Sequence, residues 1–180
     1  MTFFTRKILW ALRWDKMIAS ILAIDKNWCI WKNNNLCWHL KQDLKFFSDK
    51  TKGQVVIMGK NTYLSLPEQV RPLPWRINYV ISNTLKDEKV EVFSSLKDAL
   101  INAKSLKKEI FLIWGKTIYE QGIDFCDKVF ITRLNKSFDC DVCLWAAFYK
   151  KLFLEFTLQN KTDWINENNI QFRFEEYFRF

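Results

Sequence analysis

Residues 27–47 read NWCIWKNNNLCWHLKQDLKFF. The stretch runs from a polar loop through Trp38 into a helix near Leu40–Lys50 whose otherwise apolar face carries one acid, Asp43. Asp43, Leu44 and Phe47 stand at i, i+1 and i+4, so the carboxylate lies beside an aromatic and an aliphatic side chain on neighbouring turns. A carboxylate held against apolar groups must find donors or shift its pKa. It is then a structural anchor or a group that reads a ligand in a pocket, and we expect the second. Taken alone, an acid near a helix start is equally explained by the helix dipole.

Working outward, Met17–Asp25 (MIASILAID) is a nearly continuous apolar run ending in turn residues, as in a strand buried on both faces. After the helix, Gln54–Met58 is a second such strand ending at Gly59, and Lys60–Leu66 fits a short helix. The three prolines of Pro67–Arg76 require an irregular loop. Strands are predicted at Ile77–Ser82, Val90–Phe93, Glu109–Ile113 and Lys128–Leu134, with helices at Leu96–Ala103 and Lys116–Gln121. Ser95 with Asp98 resembles a capping box. Phe153–Gln159 and Ile170–Phe178 read as a closing antiparallel pair joined by a polar loop, Asn160–Asn169. Strand–helix alternation followed by a terminal hairpin implies an α/β sheet, mostly parallel, with an antiparallel edge.

The 180 residues suit one domain, and 49% hydrophobic with 27% charged residues in mixed order reads as globular. No apolar run approaches the roughly 20 residues that span a bilayer, so no membrane partner is expected. The net charge of +8 invites a nucleic-acid reading. Lysine is scattered rather than striped, however, so no nucleic-acid partner is expected and attraction of anionic small molecules accounts for the charge. Five cysteines (Cys29, Cys37, Cys126, Cys140, Cys143) without a secretory signal argue for reduced thiols in a cytoplasm. Cys140 and Cys143 form a lone C-x-x-C, but with a single histidine no metal site is expected. Residues 1–16 are basic and apolar and are read as an extension outside the domain, which begins at Met17.

Four signatures occur in order: LCWHLKQDLKFF at 36–47, VVIMGKNTYLSL at 55–66, RPLPWR at 71–76 and FLIWGKTIYEQ at 111–121. The second and fourth are strand–glycine–helix turns, whose free backbone N–H groups suit phosphates. Each is weak singly. Together, in this order and spacing, they resemble dihydrofolate reductase from Met17 to the C-terminus. The resemblance implies a mixed, mostly parallel eight-stranded sheet with about four flanking helices and an antiparallel C-terminal edge. It also implies a monomer that uses NADPH to reduce 7,8-dihydrofolate, its small-molecule substrate, to tetrahydrofolate.

Carried onto this chain, the resemblance makes Asp43 the single acid of the site. One carboxylate can accept from a pterin amino group and ring N–H and favour protonation of the adjacent ring nitrogen through water. Trp38 would help hold that water, and Thr132 would bond the acid. Ile21, Ala23, Leu44, Phe47, Leu66, Leu73 and Ile113 match apolar positions around the substrate, although each reads equally well as core. Arg76 matches the fork that pairs with the substrate's glutamate carboxylate, and Tyr119 a tyrosine near the nicotinamide. For the cofactor, Gly59, Lys60, Asn61 and Thr62 form one phosphate turn, with Lys60 toward the adenosine 2′-phosphate. Ser82 and Asn83 lie on the adenosine side. Gly115, Lys116 and Thr117 form the pyrophosphate turn, and Ala23, Ile30, Trp31, Leu36, Ile113, Trp114 and Tyr119 complete the nicotinamide end.

The departures share a direction. The family expects glycine at Trp28 and Trp31, at Trp75 in RPLP-x-R, and at Trp114, first of a Gly-Gly pair with a cis peptide. Glycine serves where φ is positive or a backbone must approach a ligand. The chain holds 9 Trp and 4 Gly, where about 7% glycine, or roughly 13 residues, is usual. The expectation is that these codons are UGA meaning glycine, translated with a table that reads tryptophan. Trp10, Trp14, Trp145 and Trp164 are candidates for the same set, while Trp38 stays tryptophan. Cys37 in place of proline, and Val142–Cys143 after Asp141, bear on loop geometry only. Rival readings are a related reductase acting on a riboflavin-pathway pyrimidine, which Asp43 and Arg76 argue against, and a non-catalytic binding protein with tryptophans in its cleft.

Overall fold

The computed structural model describes residues 16–32 and 35–180. The expected extension, residues 1–16, lies outside them apart from Lys16. Three apolar runs build the centre of the sheet. They are β1 (Ile18–Ile24), β4 (Val55–Gly59) and β7 (Ile110–Ile113), with β5 (Ile77–Ile81) alongside. These strands pair in parallel, and Val55, Val56, Ile57 and Met58 are fully buried, as strands covered on both faces must be. The path also takes in β6 (Glu91–Phe93), β8 (Lys128–Leu134), β10 (Phe156–Lys161) and β12 (Ile170–Arg179), in the order β10-β12-β8-β1-β7-β4-β5-β6. Only the β8–β12 and β12–β10 pairings on this path are antiparallel. This is the eight-stranded, mostly parallel sheet with an antiparallel C-terminal edge that the sequence led us to expect.

Strand alternation divides β1 between two cores. Leu22 and Ile24 face α3 (Leu96–Ala103), α4 (Lys116–Gly122) and α5 (Ala146–Glu155), whereas Ala19 and Ile21 face α1 (Lys41–Thr51) and α2 (Lys60–Ser65). The capping box forms: Asp98 N–H donates to Ser95 Oγ at 3.1 Å. Helix α1 has no side-chain cap of its own. Instead Glu167 accepts from the N–H groups of Lys41 and Gln42 at 2.6 and 3.1 Å, and so fixes the helix that carries Asp43.

Several expectations need correction. Phe153–Glu155 is the last turn of α5, because Phe148 and Leu152 at i and i+4 bury one stripe; the strand begins only at Phe156. The polar loop Asn160–Asn169 contains β11 (Ile165–Glu167), which turns back onto β12. Asn168 and Asn169 make that turn with φ of 53° and 58°, the left-handed pair that suits a tight hairpin. Part of the loop Lys26–Asn35 is strand: β2 (Cys29–Lys32) pairs with β3 (Asn35–Leu36) and with β9 (Val142–Cys143) in a small second sheet. The thiols expected to be reduced are joined instead as Cys29–Cys143 and Cys37–Cys140, leaving Cys126 free and buried. Partners more than 100 residues apart, brought together by β2 and β9, were hidden from a local reading. The cis peptide found is Arg71–Pro72, and the bond implied at Trp114–Gly115 is not cis. No described helix is long and apolar enough to cross a membrane.

Candidate active site

The parallel strands β1, β4 and β7 deliver their C-terminal ends to one side of the sheet, where a crevice is expected in an open α/β fold. Two chambers meet there. The first is lined by Ile21, Leu22, Ala23, Ile30, Trp31, Leu36, Asp43, Leu44, Phe47, Trp114 and Tyr119. Asp43 is the one acid among these, held in place by Thr132, whose Oγ1 donates to Asp43 Oδ1 at 2.6 Å. Burial pushes the Asp43 carboxyl up to about 6; the Thr132 bond pulls the other way, and the charge of Glu167 adds a further push. An acid that exchanges its proton near neutrality beside an apolar slot can orient and help protonate a nitrogen heterocycle.

Tyr119 belongs to this lining, and Trp38 clusters with two of its residues, Ala23 and Leu36. Tyr119 is buried; its Oη accepts from Trp114 N–H at 2.6 Å and donates to Ile21 O at 2.8 Å, tying the end of β7 to β1. Trp38 packs on Phe138 with ring centroids 5.3 Å apart, and its Nε1 is a buried donor with no protein acceptor among the described residues. Buried donors are rarely left alone, so this N–H suits a water or ligand atom.

The second chamber is a cleft of about 410 Å3, within the range of cofactor sites. Gly59, Lys60, Asn61 and Thr62 line one side, and Gly115, Lys116 and Thr117 the other. Thr62 Oγ1 donates to Trp114 O and joins the two turns. Lys60 Nζ donates to Thr84 Oγ1 at 2.7 Å, while Ser82 Oγ accepts from Thr84 N–H and Leu85 N–H. Lys60 and Ser82 therefore meet at Thr84, next to Asn83. Trp31 lines both chambers and stands between them.

Other expected residues are placed less directly. Leu66, Leu73 and Ile113 are buried in the core beneath α1 and α2. Arg76 lies over Phe47 at 5.4 Å and donates to Thr51 Oγ1, Pro74 O and Ser48 Oγ at 2.8, 2.8 and 3.2 Å. It makes no ion pair among the described residues. Sequence reasoning missed Leu22, Ser65, Ile81, Ile118, Gln121 and Val142 as lining residues. Ser65 and Gln121 lie on the helices that follow the two glycine turns, a signal that was present in the sequence.

Three of the four tryptophans at the expected glycine positions have a left-handed backbone, and Trp31, in β2, does not. Trp28, Trp75 and Trp114 adopt φ of 63°, 62° and 44°, left-handed values that glycine adopts freely and a bulky residue does not. Trp114 stacks on Phe47 at 4.5 Å with planes 22° apart, across the slot beside Asp43. The acid chamber is left with about 20 Å3, room for about one water molecule.

One half-buried carboxyl in an apolar slot, adjoining a nucleotide-sized cleft between two strand–glycine–helix turns, fits an α/β enzyme that uses a nucleotide cofactor. The family model for dihydrofolate reductase matches residues 17–179, and the chain belongs to that family. It is 30% identical over 185 residues to dihydrofolate reductase of Aedes albopictus, covering 90% of this chain and 97% of that one. It is 35% identical over 164 residues to the bifunctional dihydrofolate reductase-thymidylate synthase of Paramecium tetraurelia, covering 89% of this chain but 34% of that protein. Among solved structures, Enterococcus faecalis dihydrofolate reductase complexed with NADP(H) and RAB-propyl superposes with a TM-score of 0.79. The two are 26% identical, with 91% of this chain and 96% of that chain covered.

Proposed function

We propose that the chain reduces 7,8-dihydrofolate to 5,6,7,8-tetrahydrofolate with NADPH, placing hydride on C6 and a proton on N5. We further propose that positions 28, 31, 75 and 114 are glycine in the functional protein, encoded by UGA. The observation that carries the first reading is Asp43, the one carboxyl lining a chamber that shares a wall with the cleft.

The cleft suits NADPH by its size and by its donors: Lys60 and Lys116, with Asn61, Thr62 and Thr117, supply cationic and neutral groups for phosphates. Lys60, beside Ser82, Asn83 and Thr84, would meet the 2′-phosphate. When bound, the cofactor supplies the hydride. The chain's own residues do the rest. Asp43 accepts from the pterin amino group and ring N–H, fixing the ring for transfer. Held near neutral pKa by burial, it also favours proton delivery to N5 through water, with Trp38 Nε1 as a donor to that water. Arg76 receives the glutamate carboxylate as a rigid fork.

The filled slot favours a second reading of the chain as printed, a scaffold that cannot seat its substrate. Trp114 occupies the space beside Phe47 and Trp31 the wall between the chambers. Nucleotide sequencing of the gene separates the two readings. UGA is expected at 28, 31, 75 and 114 and UGG at 38; UGG at all five would end the glycine proposal. For the reaction, NADPH oxidation with dihydrofolate is the test. Asp43→Asn in the glycine-bearing chain should lose most turnover while staying folded, and full activity in that variant would remove Asp43 from the mechanism.

A further inference from the structure

Asp25 is fully buried at the end of β1, and the mechanism above does not use it. A buried carboxylate needs compensation. Here three backbone N–H groups supply it. Asp25 Oδ1 accepts from Asn27 N–H at 2.7 Å and Cys29 N–H at 2.9 Å, and Oδ2 accepts from Phe138 N–H at 3.0 Å. The donors come from two segments about 110 residues apart in the chain: the turn into β2, and the loop that follows β8.

One segment ends in a wall of the acid chamber, and the other ends against Trp38, which clusters with Ala23 and Leu36 of the same lining. Beyond Cys29, β2 carries Ile30 and Trp31 into the chamber lining. Phe138 packs its ring on Trp38. We propose that Asp25 is a positioning residue: its two oxygens set the β2 wall at a fixed distance from the Phe138–Trp38 pair that packs behind the chamber. Neighbouring main-chain bonds run the same way, with Lys26 N–H donating to Lys136 O and Asp141 N–H to Trp31 O. Those bonds hold backbone to backbone, and the Lys32–Asp139 ion pair and the Cys29–Cys143 and Cys37–Cys140 bridges also join these segments; Asp25 differs in gathering N–H groups of both on one buried carboxylate. The catalytic consequence rests on the function proposed above, and the positional one does not.

Asp25→Asn divides the two oxygens. An amide keeps one acceptor, which can serve Asn27 and Cys29, but turns an N–H toward Phe138 N–H. Two measurements are made on the full chain: amide hydrogen exchange, and the NMR resonances of the Trp38 indole N–H and the Ile30 amide. Ile123→Val, a buried core change at a residue that makes none of the Asp25 bonds, serves as a control for general destabilisation. In Asp25→Asn, Phe138 exchange should rise about tenfold, as for loss of one hydrogen bond to a charged group, and the Trp38 and Ile30 signals should move. In the glycine-bearing chain, kcat should fall about tenfold while KM for dihydrofolate stays within about threefold. Unmoved Trp38 and Ile30 signals, or changes no larger than those of Ile123→Val, would overturn the proposal. If the glycine-bearing parent shows no turnover, the function proposed above fails, and the NMR signals still decide the role of Asp25.

Discussion

Asp43 should weaken the fold that holds it. Its carboxyl titrates near 6 in the folded chain against an ordinary 3.8, because burial disfavours the charged form. Between those two values the folded state binds more protons than the unfolded state, so stability falls as pH rises through the window. Below it the penalty is absent; above about 6 it is complete. At 1.36 kcal/mol per pKa unit, the shift corresponds to about 3 kcal/mol at neutral pH. Asp43→Asn cannot ionise, yet its side-chain oxygen can still accept from Thr132 Oγ1. Urea unfolding at two pH values tests this directly. The Asn variant should be more stable than the parent at pH near 7, by up to about 3 kcal/mol, and equal to it below about pH 4. A gain that is the same at both pH values would refute the linkage, since a packing effect carries no proton dependence. A gain of zero at neutral pH would mean that the carboxyl is solvated and unperturbed.

Three further outcomes follow from the same geometry. Trp75 is 78% exposed at φ 62°, so Trp75→Gly sheds backbone strain and little packing; it should gain about 1 kcal/mol over Trp75→Ala in thermal unfolding, the usual cost of a left-handed residue with a Cβ. Thr132→Val removes the bond that holds the Asp43 pKa down, so the Asp43 inflection in the rate–pH profile should move upward; a downward move would reverse the assignment. Arg76→Lys replaces a fork that contacts Thr51, Ser48 and Pro74 with a point charge. It should raise KM about tenfold for a substrate with a glutamyl tail and leave a pterin without the tail nearly unaffected.

The parallel core was legible because its strands are short, continuously apolar and separated by helical periods. The Val55–Met58 run has no other reading once Gly59 and a helix follow it. The cap on α3 and the bond between Thr132 and Asp43 were likewise anticipated, the first from local spacing and the second from family resemblance. What escaped depends on distant partners. Helix α1 is capped by Glu167, 126 residues from Lys41, and no local pattern announces that. The β2–β9 pairing with its Cys29–Cys143 bridge, and the Cys37–Cys140 bridge outside those strands, join segments whose polar composition reads as loop. Asp25 was unremarkable in the sequence because a turn aspartate is common, and only its enclosure by Phe138 N–H separates it from others. The tryptophans were the reverse case. Their identity alone drew attention, and positive φ at Trp28, Trp75 and Trp114 supplies a backbone reason that composition could not.

The most direct measurement is NADPH oxidation with dihydrofolate by two purified chains, one as printed and one with Trp28, Trp31, Trp75 and Trp114 each replaced by glycine. The expected result is turnover in the glycine-bearing chain and little or none in the printed one, whose acid chamber has room for about one water molecule. Equal activity in the two would contradict the claim that these side chains stand where glycine belongs. No activity in either would contradict the assigned reaction.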